Sequence, residues 1–226
     1  MKKKNLWAVV ITAIGLTGLL ACNTGTDEKK EALKTDTITP QAATPVNPTG
    51  PLSVMIIRHK VADYDKWKAG YATHDSARMA NGLHNYVICR GTDDANLVMV
   101  ALIMDDVAKA RSFAGSKDLK NRMSSIGVIG TPVIDYLEAV LNDTSSLQAS
   151  TRMMIRHKVK DWDAWKKEFD THKQARTNAG LTDRVVAHTS GDTRMVTVVL
   201  GVTESVRADT FMKSDDLKDK MKAAGV

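Results

Sequence analysis

The stretch MIIRHKVADYDKWK, residues 55–68, returns as MMIRHKVKDWDAWK at residues 153–166, an offset of 98 residues. The same offset aligns residues 55–128 with 153–226 without a gap, and roughly 30 of the 74 paired positions are identical. Identity at this level over an ungapped stretch indicates a tandem duplication. The chain therefore holds two similar units of about 90–100 residues each, near the common size of a domain.

The N-terminus has the pattern of an export signal. Lys2, Lys3 and Lys4 precede a mostly apolar run over residues 6–21, which ends in Leu-Leu-Ala before Cys22. A basic start, a short apolar core and small residues before a cut site are typical of secretory signals, and the run is short for a membrane span. An ordinary signal peptide with a chance cysteine is one interpretation of this pattern.

Residues 19–22 also resemble the bacterial lipobox, in which the cysteine is acylated and becomes the new N-terminus. The resemblance implies that residues 1–21 are removed as a lipoprotein signal peptide. It also implies that lipid chains on Cys22 anchor the mature protein to a membrane of the bacterial cell envelope, on the outer membrane or facing the periplasm.

Residues 22–51 are predicted to be a flexible tether, because they are rich in Thr, Pro, Lys and Glu and have almost no large apolar residues. Without the three lysines of the signal, 29 basic residues remain against 26 acidic ones, and the two signs are mixed along the chain. No basic stripe forms, so we expect no nucleic-acid partner.

The remaining chain predicts an α+β fold. In the first repeat, residues 52–142, β-branched and apolar runs predict four strands, at 52–61, 85–91, 96–104 and 131–141. Helical spacing predicts helices over 63–81 and over 106–127, the second interrupted at Gly115. The order β-α-β-β-α-β is ferredoxin-like, with a four-stranded antiparallel sheet and two helices on one face.

After a linker at 143–150, the second repeat, residues 151–226, follows the same pattern but has no counterpart of the last strand. Either the sequence is a fragment, which we favour because an open apolar edge invites aggregation, or another element fills the edge. Residues 97–103 are apolar without alternation, so the sheet is expected to be covered on both faces. The second repeat is the natural cover.

The IRHKV strand, the Asp-x-x-x-Trp helix and the SxDLKxxM…GV segment, all present in both repeats, resemble the dimeric α/β-barrel superfamily, in particular antibiotic-biosynthesis-monooxygenase-like domains. In that family two ferredoxin-like units join sheet to sheet and enclose a barrel, which here implies an intrachain pseudo-dimer. The resemblance implies a barrel cavity that binds a small hydrophobic or aromatic molecule, with or without cofactor-independent oxygenation. The alternative is a non-catalytic structural or interaction lipoprotein with a packed barrel.

His59 and His157 are the candidate catalytic residues. Each follows an arginine, Arg58 or Arg156, near the end of the first strand of its repeat. Adjacent strand residues point to opposite faces, so one of each pair faces the helices and the other the barrel interior. An imidazole in the cavity could serve as a base.

Arg58 and Arg156 are candidate ligand-binding residues, since a cation in the cavity could orient an acidic or phenolic ligand. The simpler interpretation is a salt bridge at the rim, to Asp63 in the first repeat and to Asp161 in the second.

Four residues on the first helix of each repeat are further ligand-binding candidates: Trp67, Trp165, His74 and His172. Their simpler roles are structural, as core tryptophans and hydrogen-bonded histidines. His74 lies about 16 Å along a continuous helix from its start, far from His59, which disfavours a shared metal. No Cys/His cluster has metal-ligand spacing, so we expect neither a metal nor a cofactor.

Overall fold

A computed structural model describes residues 51–146 and 151–226, together with the backbone of residues 9–12. Cys22 and nearly all of the predicted tether lie outside the described residues. The strands are β1 (Val9–Thr12), β2 (Leu52–Val61), β3 (Leu83–Gly91), β4 (Leu97–Met104), β5 (Val128–Asn142), β6 (Thr151–Lys158), β7 (Leu181–Thr189) and β8 (Asp192–Val202). The helices are α1 (Tyr64–Ala72), α2 (Asp75–Ala80), α3 (Val107–Gly115), α4 (Lys117–Ser125), α5 (Trp162–Thr171), α6 (Lys173–Asn178), α7 (Ser205–Lys213) and α8 (Asp215–Ala223).

The strands form a closed barrel in the order β1-β3-β4-β2-β5-β7-β8-β6, and every pair is antiparallel. The first repeat supplies β3-β4-β2-β5 and the second supplies β7-β8-β6. Strand β5 joins them, because it pairs with β2 of its own repeat on one side and with β7 of the other repeat on the other side. The predicted pair of ferredoxin-like units in an intrachain pseudo-dimeric barrel is confirmed.

The second repeat itself contributes three strands, and β1 occupies the position of the fourth. Strand β1 pairs with β6 and β3, just as β5 pairs with β2 and β7. In this structure another element, β1, fills the edge, and the expectation that the sequence is a fragment stays a prediction. Residues 9–12 belong to the predicted export signal, so cleavage of that signal would remove this strand.

Both faces of the sheet are buried, as the unbroken apolar run in β4 predicts. Along β2, Met55 and Ile57 pack under the helices of the first repeat, while Val54 and Ile56 point into the barrel. In β6 the same alternation places Met153 under the helices and points Met154 into the barrel. The molecule therefore has three apolar cores, one under each helical layer and one between the sheets.

The predicted helix over 63–81 is divided in two, and so is its counterpart in the second repeat, which the same pattern predicts over 161–179. Each starts as expected, with the carboxylate of Asp63 or Asp161 accepting a hydrogen bond from a backbone N–H of the first turn. Each first segment then ends at a threonine hydroxyl, of Thr73 or Thr171, that donates to the carbonyl three residues earlier. Such local hydroxyl bonds compete with helical pairing, and the chain turns at the histidine that follows.

Within the described ranges, no helix is long and apolar enough to cross a lipid bilayer.

Close packing of α1 on the end of α4 predicts the effect of one substitution. A Cβ added to Gly70 would lie 2.9 Å from Ile126 Cβ and closer still to its Cγ2. We expect Gly70→Ala to lower the free energy of unfolding by about 1–3 kcal/mol through overpacking, although alanine is the better helix former by about 1 kcal/mol. Urea unfolding measures the change.

The matched control is Glu168→Ala, at the equivalent position of the second repeat, where a Cβ is already present. This variant should be nearly neutral, and Ile126→Ala should rescue Gly70→Ala in part. A Gly70→Ala protein that is more stable than the parent would show that helix propensity, rather than the contact with Ile126, decides the outcome.

Candidate functional site

His59 and His157 face the helices and not the barrel interior. Each imidazole packs against the tryptophan of its own repeat, with ring centroids 5.4 Å apart for His59 and Trp67 and 5.6 Å apart for His157 and Trp165. The sequence left open which residue of each Arg-His pair enters the barrel. The structure places the arginines there, so the candidate bases lie outside the cavity in which they were expected.

The two imidazoles share an unusual environment. Neither ring nitrogen of His59 or of His157 has a hydrogen-bond partner among the described residues, although all four nitrogens are buried. Burial disfavours the charged form and lowers the pKa of each histidine to about 4. At neutral pH both rings are therefore uncharged, each with one N–H donor and one acceptor nitrogen to offer.

Each of these histidines lies on the wall of a pocket between sheet and helices, which we call the helix–sheet pocket of its repeat. The pocket of the first repeat encloses about 40 Å³ and that of the second about 120 Å³. Beside His157, the second is lined mostly by apolar and aromatic side chains, such as Trp165 and Phe211. Its wall also includes polar groups, of Glu168, His172, Arg176 and Lys220. An apolar protein cavity of about 150 Å³ can hold benzene, so the second pocket has room for about one aromatic ring.

A few substitutions between the copies explain the difference in volume. Ile126 fills the first pocket and packs on Gly70, whereas the second repeat has Ala224 and Glu168 at these positions. Arg122 also closes the first pocket by donating to the carbonyl of Gly70 at 2.9 Å. Its counterpart, Lys220, pairs with Glu168 at 3.6 Å. Both copies therefore have the imidazole, but the pocket beside it is about three times larger in the second copy.

His74 and His172 line the same pockets but have partners. His172 Nε2 lies 2.7 Å from an Asp216 carboxylate oxygen, and His74 Nε2 lies 3.5 Å from Asp118. Each repeat thus brings two histidines to the wall of one pocket, one from the first strand and one from the break between the two helical segments. Within the described ranges, no group of three or more His, Cys, Asp or Glu side chains converges as metal ligands would.

Arg58 and Arg156 meet at one end of the barrel, where both bind the carboxylate of Asp135. Arg58 Nη2 lies 2.6 Å from Asp135 Oδ2, and Arg156 pairs with the other oxygen. The salt-bridge interpretation thus describes the contact, but the partner differs from the expected Asp63 and Asp161, which cap helices instead. Asp135 lies in β5, which has no counterpart in the second copy, so comparison of the repeats could not indicate it.

A larger cavity, of about 270 Å³, lies between the two sheets inside the barrel. Its lining is mostly apolar but includes Arg152, Arg184 and Thr197. Features that the two copies share do not reveal these three residues. Each is polar where the first copy has Val54, Tyr86 or Met99, so a search for differences between the copies would have found them.

Several solved structures resemble this fold. An anthrone oxidase-like protein aligns with 76% of this chain and 83% of its own length, at 11% identity and a TM-score of 0.49. A provisionally named monooxygenase from Lactobacillus acidophilus NCFM aligns with 77% of this chain and 87% of its own, at 10% identity and a TM-score of 0.47. A provisionally named antibiotic biosynthesis monooxygenase from Caulobacter crescentus covers 39% of this chain and 88% of its own, at 18% identity and a TM-score of 0.32. No protein-family model and no curated protein matches the chain.

The lowered pKa of His59 and His157 predicts acid sensitivity. Because the native pKa of about 4 lies below the ordinary value of 6.5, the unfolded chain binds protons first as the pH falls. Stability is therefore full above about pH 6.5 and declines towards pH 4. Between pH 7 and pH 5, each imidazole should contribute a loss of about 2 kcal/mol in the free energy of unfolding, at 1.36 kcal/mol per pKa unit.

Urea unfolding of the parent and of a His59→Gln, His157→Gln double variant at several pH values measures this contribution. The double variant should have a much flatter profile between pH 7 and pH 5, where ordinary carboxylates remain ionised. Parallel profiles for the two proteins would show that these imidazoles do not titrate as their burial requires.

Proposed function

We propose that the second repeat binds a small aromatic molecule carrying a hydroxyl group, in its helix–sheet pocket, and that the first repeat serves as structural support. The observation that carries the proposal is the buried imidazole of His157, which has no hydrogen-bond partner within the described part of the chain and borders an open apolar pocket. This moves the proposed site from the barrel interior, where the sequence analysis expected it, to the space under the helices.

A phenolic ligand would complement this pocket chemically. A neutral imidazole offers one donor and one acceptor, and a hydroxyl group can pair with either. Leaving a buried polar group without a partner costs about 1–3 kcal/mol, which such a ligand would recover. The aromatic rings of Trp165 and Phe169, with centroids 5.0 Å apart, supply edges and faces against which a further ring can pack.

The low pKa of His157 favours a role in binding over a role as a general base. An efficient general base has a pKa near the working pH, whereas burial lowers the pKa of His157 to about 4. Cofactor-independent oxygenation, the activity that the family resemblance implies, is the second candidate. It would use the same imidazole to accept the phenolic proton before the ring reacts with O₂. Oxygen consumption by the protein with a bound phenol would distinguish it from simple binding.

The two repeats provide matched variants for testing the pocket. Glu168→Gly together with Ala224→Ile transplants the Gly70–Ile126 pair of the first repeat into the second and should fill the pocket. We expect it to abolish the binding of phenol, measured by titration calorimetry or ligand-observed NMR. His157→Ala should weaken phenol binding by at least tenfold and toluene binding less, because toluene lacks the hydroxyl group.

His59→Ala is the control, since it removes the equivalent imidazole from the filled pocket. It should leave phenol binding unchanged, and urea unfolding should report the stability loss of every variant. Equal losses of phenol binding in the His59 and His157 variants, or equal affinities of the parent for phenol and toluene, would contradict the proposal.

We also propose that the mature protein is held at a membrane of the bacterial envelope through lipid on Cys22. Expression in a bacterium fed an alkyne-labelled fatty acid should yield a labelled protein that starts at Cys22. Cys22→Ser should carry no label and retain residues 1–21. Label on the Cys22→Ser protein, or a parent protein without label, would refute the anchor without affecting the proposed pocket.

A further inference from the structure

The cavity inside the barrel is separate from the helix–sheet pockets, because the sheet itself lies between them. Along β6, alternate residues face opposite sides: Arg152 and Met154 line the barrel cavity, whereas Ile155 and His157 line the helix–sheet pocket. The barrel cavity, at about 270 Å³, is more than twice the volume of the larger helix–sheet pocket. It lies just below the usual range of ligand pockets, about 300–1,000 Å³.

One end of this cavity is lined by charged side chains. Its lining contains two guanidinium groups, of Arg152 and Arg184, and one carboxylate, of Asp143. Asp143 stays ionised, because hydrogen bonds from Ser145 hold its pKa below the ordinary value, and it lies 3.3 Å from Arg184. Burial, with the nearby Arg184 guanidinium as a smaller cause, lowers the pKa of Arg152. A bound anion would relieve both effects.

The cavity carries an unsatisfied polar group towards its other end. Thr197 is 2% exposed, and its hydroxyl has no hydrogen-bond partner anywhere in the described ranges. In the β6–β8 ladder Thr197 pairs with Arg156, and Gly201 pairs with Arg152. The four intervening steps of about 3.3 Å separate the threonine from the arginine end by about 13 Å along the barrel.

Between these two ends the wall is apolar. It is formed by residues of both sheets, including Ile56, Leu137, Ala139 and Met154. Cys89 also lines it, and burial raises the pKa of its thiol to about 11, so it adds no charge. The cavity therefore presents guanidinium groups at one end, an apolar middle, and the Thr197 hydroxyl towards the end of the barrel where Arg58 and Arg156 bind Asp135.

The polar groups distinguish the second copy from the first. Arg152, Arg184 and Thr197 correspond to Val54, Tyr86 and Met99 by the offset of the repeat. Arg184 also holds the linker, because its guanidinium donates hydrogen bonds to Asp143 and Ser145. Packing of the barrel interior needs neither a guanidinium at Arg152 nor a hydroxyl at Thr197, since the first copy packs there with Val54 and Met99. We infer that the barrel interior binds a small monocarboxylic acid, with its carboxylate at Arg152 and Arg184, an apolar body, and a hydrogen-bonding oxygen near Thr197.

Three aliphatic probes of equal chain length test the two ends separately and avoid the aromatic pocket. They are 8-hydroxyoctanoate, octanoate and octane-1,8-diol, titrated by calorimetry into the Cys22→Ser chain, which retains β1 beside Arg152. We expect the hydroxy acid to bind most tightly and the diol at least tenfold more weakly, with the affinity of both acids falling as salt is added, because salt screens the attraction. Failure of both acids to bind, or a diol that binds as tightly as the acids, would overturn the inference.

Substitutions then locate the binding. Arg152→Gln and Arg152→Val should each weaken both acids at least tenfold and leave the diol unchanged, whereas Arg152→Lys should retain part of the affinity. Thr197→Val, which is nearly isosteric, should remove the preference for 8-hydroxyoctanoate over octanoate. The Glu168→Gly, Ala224→Ile variant is the control and should bind the acids as the parent does. Acid affinity that survives Arg152→Gln, or is lost in the control, would place the anion elsewhere and overturn the inference.

Methionine methyl NMR on the unsubstituted protein gives an answer that does not depend on the stability of any variant. Met99 and Met154 line the barrel cavity, whereas Met212 and Met221 line the helix–sheet pocket of the second repeat. Octanoate should shift the first pair of methyl signals and leave the second pair in place. The reverse pattern would overturn the inference while leaving the proposed phenol site intact.

Discussion

The apolar inner faces of the two sheets determine how this protein is assembled. A ferredoxin-like sheet needs only one helical layer, but here the residues that point away from the helices are apolar as well. Burial of apolar surface contributes about 25 cal/mol per Å², so neither sheet can leave this face in water without a large loss. Strand β5 makes the closure possible, since its ladder partners belong to both repeats.

Closure of the barrel brings charges together as well as apolar groups. Arg58 and Arg156 occupy equivalent positions in the two repeats, and the pseudo-symmetry of the barrel directs both to the same end. Strand β5 supplies the carboxylate of Asp135 there, and both guanidinium groups bind it. The same closure places Arg152 and Arg184 together on the wall of the cavity. Closure of the barrel thus brings two pairs of arginines together.

The two kinds of cavity have diverged in different ways since the duplication. Under the helices, both copies have the same imidazole and tryptophan. They differ in the residues that set the pocket volume, Gly70 and Ile126 in the first copy and Glu168 and Ala224 in the second. Inside the barrel, the copies share a wall but differ at Arg152, Arg184 and Thr197 of the second copy, where the first has Val54, Tyr86 and Met99. A single chain can make these changes independently on its two halves, whereas a symmetric dimer of identical chains would have to make each change twice.

Much of the fold was determined by the sequence alone. The offset of 98 residues, the period-two strands and the unbroken apolar run of residues 97–103 predicted two ferredoxin-like units closed face to face, because these patterns depend on local geometry and burial. Tertiary structure decided which of Arg58 and His59 enters the barrel. Strand alternation places the two side chains on opposite faces of the sheet, but it does not determine which face is the barrel interior. Tertiary structure decided the partners of the arginines, the break before His74 and the strand at residues 9–12, which depend on contacts between segments far apart in sequence. Tertiary structure also decided the volumes of the two helix–sheet pockets, because these depend on how Ile126 or Ala224 packs against the opposite helix.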